Sequence, residues 1–208
     1  AEATFQSLQR TLKAAGSDLL TGGFDAIGRP DLALEHVPGP EQAGEVGAEI
    51  FARKNPGAAL ERAGLLADLG RFGDSRLLLA RLLNQSKYEP EARIIALQMH
   101  LAEGRVEDVK RHITRLKSHR GALVGDAALD LYRDRPASAG SRLGPVTAGS
   151  LPDAEASPHL RRLEIRVRLL TLAAQGHQEQ LESLMRGVEA PAALKARVLG
   201  PERGERIL

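Results

Sequence analysis

The side chains best suited to chemistry in this chain are its six histidines, and they are scattered along it. His112 and His119 are seven residues apart, so they share one face of a predicted helix. Two helical turns separate them by about 10 Å, which is too far for both to bind one metal ion directly. The pattern favours solvated histidines on a helix surface. His36 and His100 lie beside apolar residues, and we expect each to be packed or to lie at a groove edge.

The carboxylates and glycines also lack the spacing of catalytic motifs. Glu107 and Asp108 are explained as a negative first turn that complements a helix dipole. The sequence has no phosphate-binding glycine loop, no dinucleotide fingerprint, no His-Glu-x-x-His helix and no Gly-x-Ser-x-Gly turn. The absence of cysteine excludes a disulfide framework, a thiolate metal site and a cysteine nucleophile. We therefore expect a protein that is not an enzyme and that uses no metal or other cofactor.

Charge is nearly balanced over the whole chain but uneven along it. The formal net charge is only +2, yet residues 1–104 carry 11 basic and 14 acidic residues, whereas residues 105–208 carry 18 and 13. The second half contains two runs of basic residues, which would neutralise phosphates in a nucleic-acid binder. The runs lack interleaved aromatic residues for base stacking, with only Tyr132 nearby. A solvated helix face is the favoured interpretation, and an acidic protein partner is an intermediate one. The runs are Lys110, Arg111, Arg115, Lys117 and Arg120, then Arg161, Arg162, Arg166 and Arg168.

Composition favours helices. The 208 residues include 33 Leu and 31 Ala, whereas Val and Ile together number 16 and aromatic residues make up 3%. No apolar run approaches the roughly 18 residues of a membrane span. The chain opens at Ala1 and not at Met, so we expect a processed or shortened form whose signal peptide, if any, is out of view. Arginine outnumbers lysine 23 to 6, which is typical of a GC-rich bacterial genome.

A shift of 34 residues aligns the middle of the chain with itself. Proline suits the first turn of a helix and glycine suits its end, so each unit is predicted to be a pair of helices that bends at Gly70 or Gly104. Positions 56–83 and 90–117 share seven identities, namely Pro56/Pro90, Ala58/Ala92, Gly70/Gly104, Arg71/Arg105, Asp74/Asp108, Arg81/Arg115 and Leu82/Leu116.

Units of this length, with proline at the boundary and glycine at the turn, resemble the tetratricopeptide repeat. Gly70-Arg71-Phe72-Gly73-Asp74-Ser75 and Gly104-Arg105-Val106-Glu107-Asp108-Val109 match the family's turn and the start of its second helix. The family's first-helix Trp and Tyr are absent, and its small second-helix residue is Ser75 in one unit and Val109 in the other. A related helical repeat of similar period fits the same spacing. The resemblance implies an all-α superhelical array (α-solenoid) of about four to six antiparallel helix pairs.

The rest of the chain is divided by its prolines and glycines into further helical segments. Residues 1–55 are predicted to be degenerate repeats or a cap, with an amphipathic stripe over 5–19, a short helix from Pro30 and another helix over 41–54. The third unit is predicted to turn near Arg135-Pro136 and to have a short second helix through Leu143. Repeats are predicted at 56–89, 90–120, 121–147 and 159–188, with a long loop over 137–158 and a capping helix or further repeat at 189–208.

The resemblance also implies where a partner would bind. In the family, the first helices line a concave groove that holds extended or helical segments of other proteins. The family's Lys, Asn and Arg pattern for a terminal carboxylate is not visible, so recognition of a chaperone-type tail is not expected. The positions that match the groove are Leu60, Glu61, Gly64, Asp68, Ile94, Gln98, Leu101, Leu129, Tyr132, Arg133, Arg166 and Leu170.

The sequence therefore predicts a non-catalytic scaffold that binds a partner peptide or helix in a bacterial assembly, secretion, pilus or polysaccharide-export system. The compartment, cytoplasm or periplasm, stays open. One alternative is a regulatory or anchoring module cut from a larger enzyme or envelope protein. Another is an RNA- or nucleotide-binding helical repeat that uses the arginine-rich second half.

Overall fold

The computed structural model describes residues 30–41, 44–144, 157–177 and 179–180, and this part of the chain is helical, without a strand. The prediction of an all-α fold is confirmed for these residues. None of their helices is both long enough and apolar enough to cross a membrane. The helices are α1 (Pro30–His36), α2 (Gly44–Lys54), α3 (Pro56–Asp68), α4 (Phe72–Leu82), α5 (Glu89–Ala102), α6 (Val106–Leu116), α7 (Arg120–Tyr132), α8 (Pro136–Leu143) and α9 (Pro158–Ala174).

Several predicted segments can be compared with these bounds. The helices that begin at Pro30 and Pro56 are confirmed, and so is the short second helix of the third unit through Leu143. That helix already begins at Pro136, which was predicted to lie in the turn. The predicted loop over 137–158 begins too early, because α8 already occupies its first residues and ends at Leu143. The amphipathic stripe over 5–19, the second helix of the fourth unit and the segment 189–208 lie outside the described residues.

The chain divides into two compact units, and the first comprises Ala1–Arg81 with Ala190–Ala192. In its described part, α1 and α2 both pack against α3. Ala33, Val37 and Leu65 form an apolar core there. Arg62 donates from Nη1 to the carbonyl oxygen of Val37 at 2.9 Å, just beyond the end of α1. The Ser75 hydroxyl donates to the carbonyl oxygen of Ala63 at 2.8 Å and joins α4 to α3.

The second unit comprises Leu82–Glu189 with Ala193–Leu208. Consecutive helices from α5 to α9 pack on one another, and α9 also packs on α5 and α7. Gly125 lets three helices approach closely, because an added Cβ would lie 2.7 Å from Leu97 Cδ1 and 2.8 Å from Ile113 Cγ1. Burial of the apolar core is the main stabilising contribution. That core includes Ile94, Leu97, Val109, Leu116, Val124, Ala127, Leu129, Ala139, Leu143, Leu160, Leu163 and Val167.

Four helices, α3, α5, α7 and α9, end in the same way, and we call them the first helices. In each, the backbone turns into the left-handed region two residues after the helix, and the next N–H bonds to the carbonyl five residues back at 2.8–3.0 Å. This is the Schellman arrangement, in which the helix end satisfies its own carbonyls. The left-handed residues are Gly70 (φ 74°), Gly104 (φ 71°), Asp134 (φ 58°) and Gly176 (φ 72°). Gly70 and Gly104 therefore occupy equivalent bends, as predicted.

The helices that follow three of these ends, α4, α6 and α8, are the second helices. Each begins two residues after the left-handed residue. The residue five positions after it is completely buried in all three cases: Ser75, Val109 and Ala139. The residue seven positions before it is completely buried in all four first helices: Ala63, Leu97, Ala127 and Leu169. The bend thus fixes which residues of each helix pair point into a core.

The shared helix end makes a stability prediction. Gly104→Ala places a side chain in left-handed backbone, with its Cβ 3.1 Å from the Tyr132 hydroxyl, and we expect the free energy of unfolding to fall by about 1 kcal/mol or more. Gly57 is the matched control, because it lies in α3 with no heavy atom within 4 Å of an added Cβ. Gly57→Ala is expected to raise the free energy of unfolding by about 0.5 kcal/mol. Urea unfolding followed by circular dichroism measures both free energies. Equal effects of the two substitutions would contradict the conclusion that the helix end at Gly104 requires left-handed backbone.

Candidate functional site

The structure separates the predicted groove residues by exposure. Among those of α3, Leu60 and Gly64 are buried, Glu61 is half-buried and Asp68 is exposed. In the second unit, Gln98 and Leu101 are half-buried. Tyr132, Arg133, Arg166 and Leu170 are exposed, whereas Ile94 and Leu129 are buried in the core.

The burial of Ile94 and Leu129 has a clear physical cause. The helix α9 packs on both α5 and α7, and its Leu160, Leu163 and Val167 join Ile94 and Leu129 in one core. The three first helices of this unit therefore contact each other. Ile94 and Leu129 stabilise the unit and offer no surface to a partner, which corrects their placement in an open groove.

The exposed apolar residues of the second unit lie at the carboxyl ends of its first helices. Tyr132 is 54% exposed and Leu170 is 41% exposed, which is unusual for side chains of this size. The Tyr132 hydroxyl lies close to Gly104, so the ends of α5 and α7 are adjacent. Gln175 donates to the carbonyl oxygen of Pro136 at 3.0 Å, which holds the end of α9 beside the start of α8.

We call the carboxyl ends of α5, α7 and α9 together the apolar end face. Ala102, Tyr132 and Ala174 occupy equivalent positions, two residues before the left-handed residue of their helices, and all three are exposed. Leu170 lies one turn earlier on α9, on the same side of the helix as Ala174. An exposed aromatic and an exposed leucine among small residues suit contact with an apolar side chain of a partner.

A buried ion pair inside α9 was missed by the sequence analysis. Glu164 and Arg168 are almost completely buried and lie 2.9 Å apart, Oε1 to Nη2. Arg120 at the start of α7 also donates to Glu164, with 2.6 Å from Nη2 to Oε1. Arg168 further donates to the carbonyl oxygen of Leu143 at 2.8 Å, at the end of α8. The pair therefore connects three helices. Its signal in the sequence is that Glu164 follows Leu160 by four residues, which puts it on the apolar side of α9.

The two basic runs therefore differ from the solvated face that the sequence favoured. Arg168 is buried and Arg120 bonds to Glu164, so both are structural. Arg111 pairs with Asp108, and Lys110 pairs with Glu107 at 2.6 Å. The prediction of solvated side chains fits the exposed members Arg115, Lys117, Arg161 and Arg166.

Removing the charge of Glu164 tests the structural role of this pair. Glu164→Gln leaves the buried Arg168 without its counter-charge, so we expect the free energy of unfolding to fall by about 3 kcal/mol. The control is Glu107→Gln, which alters an exposed ion pair and should leave the free energy of unfolding nearly unchanged. Urea unfolding of both variants gives the comparison. Similar losses in the two variants would show that the buried ion pair contributes no more to stability than an exposed one.

Two histidines stack across the contact between α5 and α6. The rings of His100 and His112 have centroids 5.3 Å apart and are inclined by 20°. Burial, and then the neighbouring His100, lower the pKa of His112 to about 4, with smaller contributions from Arg93 and Arg111. The Glu103 carboxylate lies 3.5 Å from Nδ1 of His100. His112 is therefore a packed neutral residue, which corrects the prediction that it is solvated.

His119 also differs from its prediction. The helix α6 ends at Leu116, so His119 does not share a helical face with His112. Its Nδ1 accepts a hydrogen bond from the Gly121 N–H at 3.0 Å and caps α7. Elsewhere, burial lowers the pKa of His159 in α9 to about 3, and Arg162 adds to this effect. These histidines therefore act in packing and helix capping.

The two depressed pKa values predict acid sensitivity. His112 and His159 stay neutral in the folded protein below pH 6.5, whereas the same residues in the unfolded chain bind protons near that pH. The free energy of unfolding should therefore decrease as the pH falls from 7 to about 5. The double variant His112→Gln, His159→Gln should show a flatter dependence in urea unfolding. His177→Gln, at an exposed position, is the control and should keep the wild-type slope.

Among the residues that the structure describes, no group of three or more His, Asp or Glu side chains could hold a metal ion. Comparison of the chain with protein-family models, with curated proteins and with solved structures gives no match. The interpretation of the apolar end face therefore depends on its own geometry.

Proposed function

We propose that this chain is a helical-repeat scaffold of the tetratricopeptide type that binds a segment of another protein and carries out no catalysis. The observation that carries the proposal is the exposure of Tyr132 and Leu170 at the adjoining ends of three packed helices. Large apolar side chains at the surface contribute little to the stability of a folded chain. A partner that covers them removes their apolar area from water, which favours binding.

The repeated helix ends support the repeat interpretation. Four first helices end in the same Schellman geometry, and three of the ends lead into a second helix after the same short connection. The spacing of 34 residues between Gly70 and Gly104 equals the length of a tetratricopeptide repeat. Repeats of this kind present equivalent positions of successive units on a common surface. Ala102, Tyr132 and Ala174 are such equivalent positions, so a partner would meet them as one surface.

The chemistry of the apolar end face favours a helix or an extended peptide over a small molecule. Tyr132 offers an apolar ring and a hydroxyl, and tyrosine is among the residues that most often dominate protein interfaces. Arg133, directly after α7, and Arg166, at the middle of α9, are also exposed and can contact polar groups at the rim of an interface. Gln98 and Leu101 on α5 are half-buried and would offer an amide and an apolar group to the same partner.

The pairing of basic side chains weighs against the RNA-binding alternative. Arg105 and Arg111 both contact Asp108, and Arg142 donates to Asp130 at 2.6 Å. Phosphate binding needs cations that can exchange their counter-ions for the nucleic acid, and these cations already have carboxylate partners. The only tyrosine of the arginine-rich half, Tyr132, stands alone, whereas base stacking uses several rings along a groove.

A capture experiment tests the proposal. The wild-type chain and the variant Tyr132→Glu, Leu170→Glu are immobilised, and proteins retained from an extract of the source cells are identified by mass spectrometry. We expect specific partners of the wild type to be lost from the variant. For a purified partner we expect the dissociation constant to rise at least tenfold, or about 1.4 kcal/mol, because hot-spot side chains are replaced by charges.

The matched control carries the same substitutions at another exposed apolar pair. Val46 and Ile50 on α2 are 65% and 37% exposed, and Val46→Glu, Ile50→Glu should retain the partners of the wild type. Circular dichroism verifies that both variants fold. Partners that survive the Tyr132 and Leu170 changes would show that another surface binds them.

A further inference from the structure

A strained turn lies between α6 and α7. The His119 N–H bonds to the carbonyl oxygen of Leu116 at 2.8 Å, which closes a four-residue turn. Its second residue, Lys117, has φ 47° and ψ −114°. These angles belong to a turn of type II′, whose first central position is normally occupied by glycine. A lysine there strains the backbone, and such strain is retained most often where the side chain has a function.

Other basic residues are near Lys117 in the sequence and across the contact between α7 and α9. Arg115 precedes it by two residues, and Arg120 follows the turn as the first residue of α7. The contact between Arg120 and Glu164 brings this turn to α9, where Arg161 lies one turn before Glu164. We call Arg115, Lys117, Arg120 and Arg161 the basic corner. In the described part of the chain, Arg115, Lys117 and Arg161 are exposed and have no carboxylate partner.

We propose that the basic corner binds a carboxylate-rich segment of a partner protein. This site is separate from the apolar end face, because Arg120 and Tyr132 are the two ends of α7 and lie about 18 Å apart along its axis. The proposal therefore stands or fails independently of the function proposed for that face.

The observed chemistry of the corner favours carboxylate over phosphate. The corner contacts the Glu164 carboxylate, which Arg120 binds through both Nε and Nη2 at 3.3 and 2.6 Å. Paired contacts of this kind are the geometry in which a guanidinium recognises a carboxylate. The four corner residues include no phenylalanine, tyrosine or tryptophan, the rings on which the bases of a single-stranded nucleic acid most often stack. The first turns of α7 and α9 contain no acidic residue that would repel the segment.

Binding of a labelled decaglutamate peptide, measured by fluorescence anisotropy at low salt, tests the proposal. The variant Arg115→Glu, Lys117→Glu, Arg161→Glu should weaken binding by about tenfold or more. The control, Arg53→Glu, Lys54→Glu, Arg81→Glu, makes the same change in net charge at exposed residues of the first unit and should weaken binding by less than about twofold. Equal losses in the two variants would overturn the proposal, because the overall charge would then explain the binding. A wild-type chain that fails to bind the peptide would also overturn it.

An oligouridylate of equal charge serves as the competing ligand. Tighter binding of this RNA than of the peptide, with the same dependence on the corner, would replace the proposed partner by a nucleic acid. Weaker binding of the RNA would support the carboxylate partner.

A single substitution separates function from structure at the strained residue. Lys117→Gly relieves the backbone and should move the urea midpoint upward while it weakens peptide binding. Lys117→Arg keeps the charge and the strain, so it should keep both the wild-type midpoint and the wild-type affinity. A stabilised Lys117→Gly variant with unchanged affinity would show that Lys117 does not contribute to peptide binding.

Discussion

The single left-handed residue after each first helix is the constraint on which the described fold depends. By turning back on itself, the chain satisfies carbonyls at the helix end without a partner from elsewhere, and the next helix can begin two residues later. Because the bend is the same each time, the same positions become buried each time. The residue seven before it and the residue five after it have no exposed surface wherever they are described. A short local geometry thus determines which side chains form each core.

Charged groups give the second unit a connection that apolar packing does not provide. Burial of Glu164 and Arg168 has a desolvation cost, and apolar side chains of the same volume often stabilise a core equally well. Unlike such side chains, the pair makes directional hydrogen bonds. Arg168 donates to the carbonyl of Leu143, and Glu164 accepts from Arg120. These bonds set the position of α9 against the end of α8 and the start of α7. In the first unit, Arg62 plays a related role by donating to the carbonyl of Val37.

The parts of this fold that sequence reasoning identified are those with local backbone signals. Pro56 begins a helix, and Gly70 and Gly104 end helices, because ring closure and the lack of a Cβ act within a few residues. The stop at Asp134 has the same geometry without a glycine, so its signal was weaker. The burial of Ile94 depends on α9, which is distant in the sequence, and the stack of His100 on His112 depends on how α5 meets α6. Predicting contacts of that kind requires knowledge of how the helices pack on one another. The periodicity of apolar residues alone does not give that packing.

The pairing of many cations with carboxylates is what makes the remaining surface features distinct. Once Arg168, Arg142 and Arg111 are paired with carboxylates, the exposed cations at the α6–α7 turn form a local charge in a chain that is nearly neutral overall. Among the described residues, exposed large apolar side chains are likewise few, and Tyr132 lies at the opposite end of α7. Because α7 packs against α5, α6, α8 and α9, its two ends are held at a fixed separation of about 18 Å. A partner helix with an acidic end and an apolar residue about three turns away would match both ends at once. Simultaneous engagement of two weak contacts raises affinity only when the spacing of the partner fits, so the rigidity of α7 would act as a selector of partners.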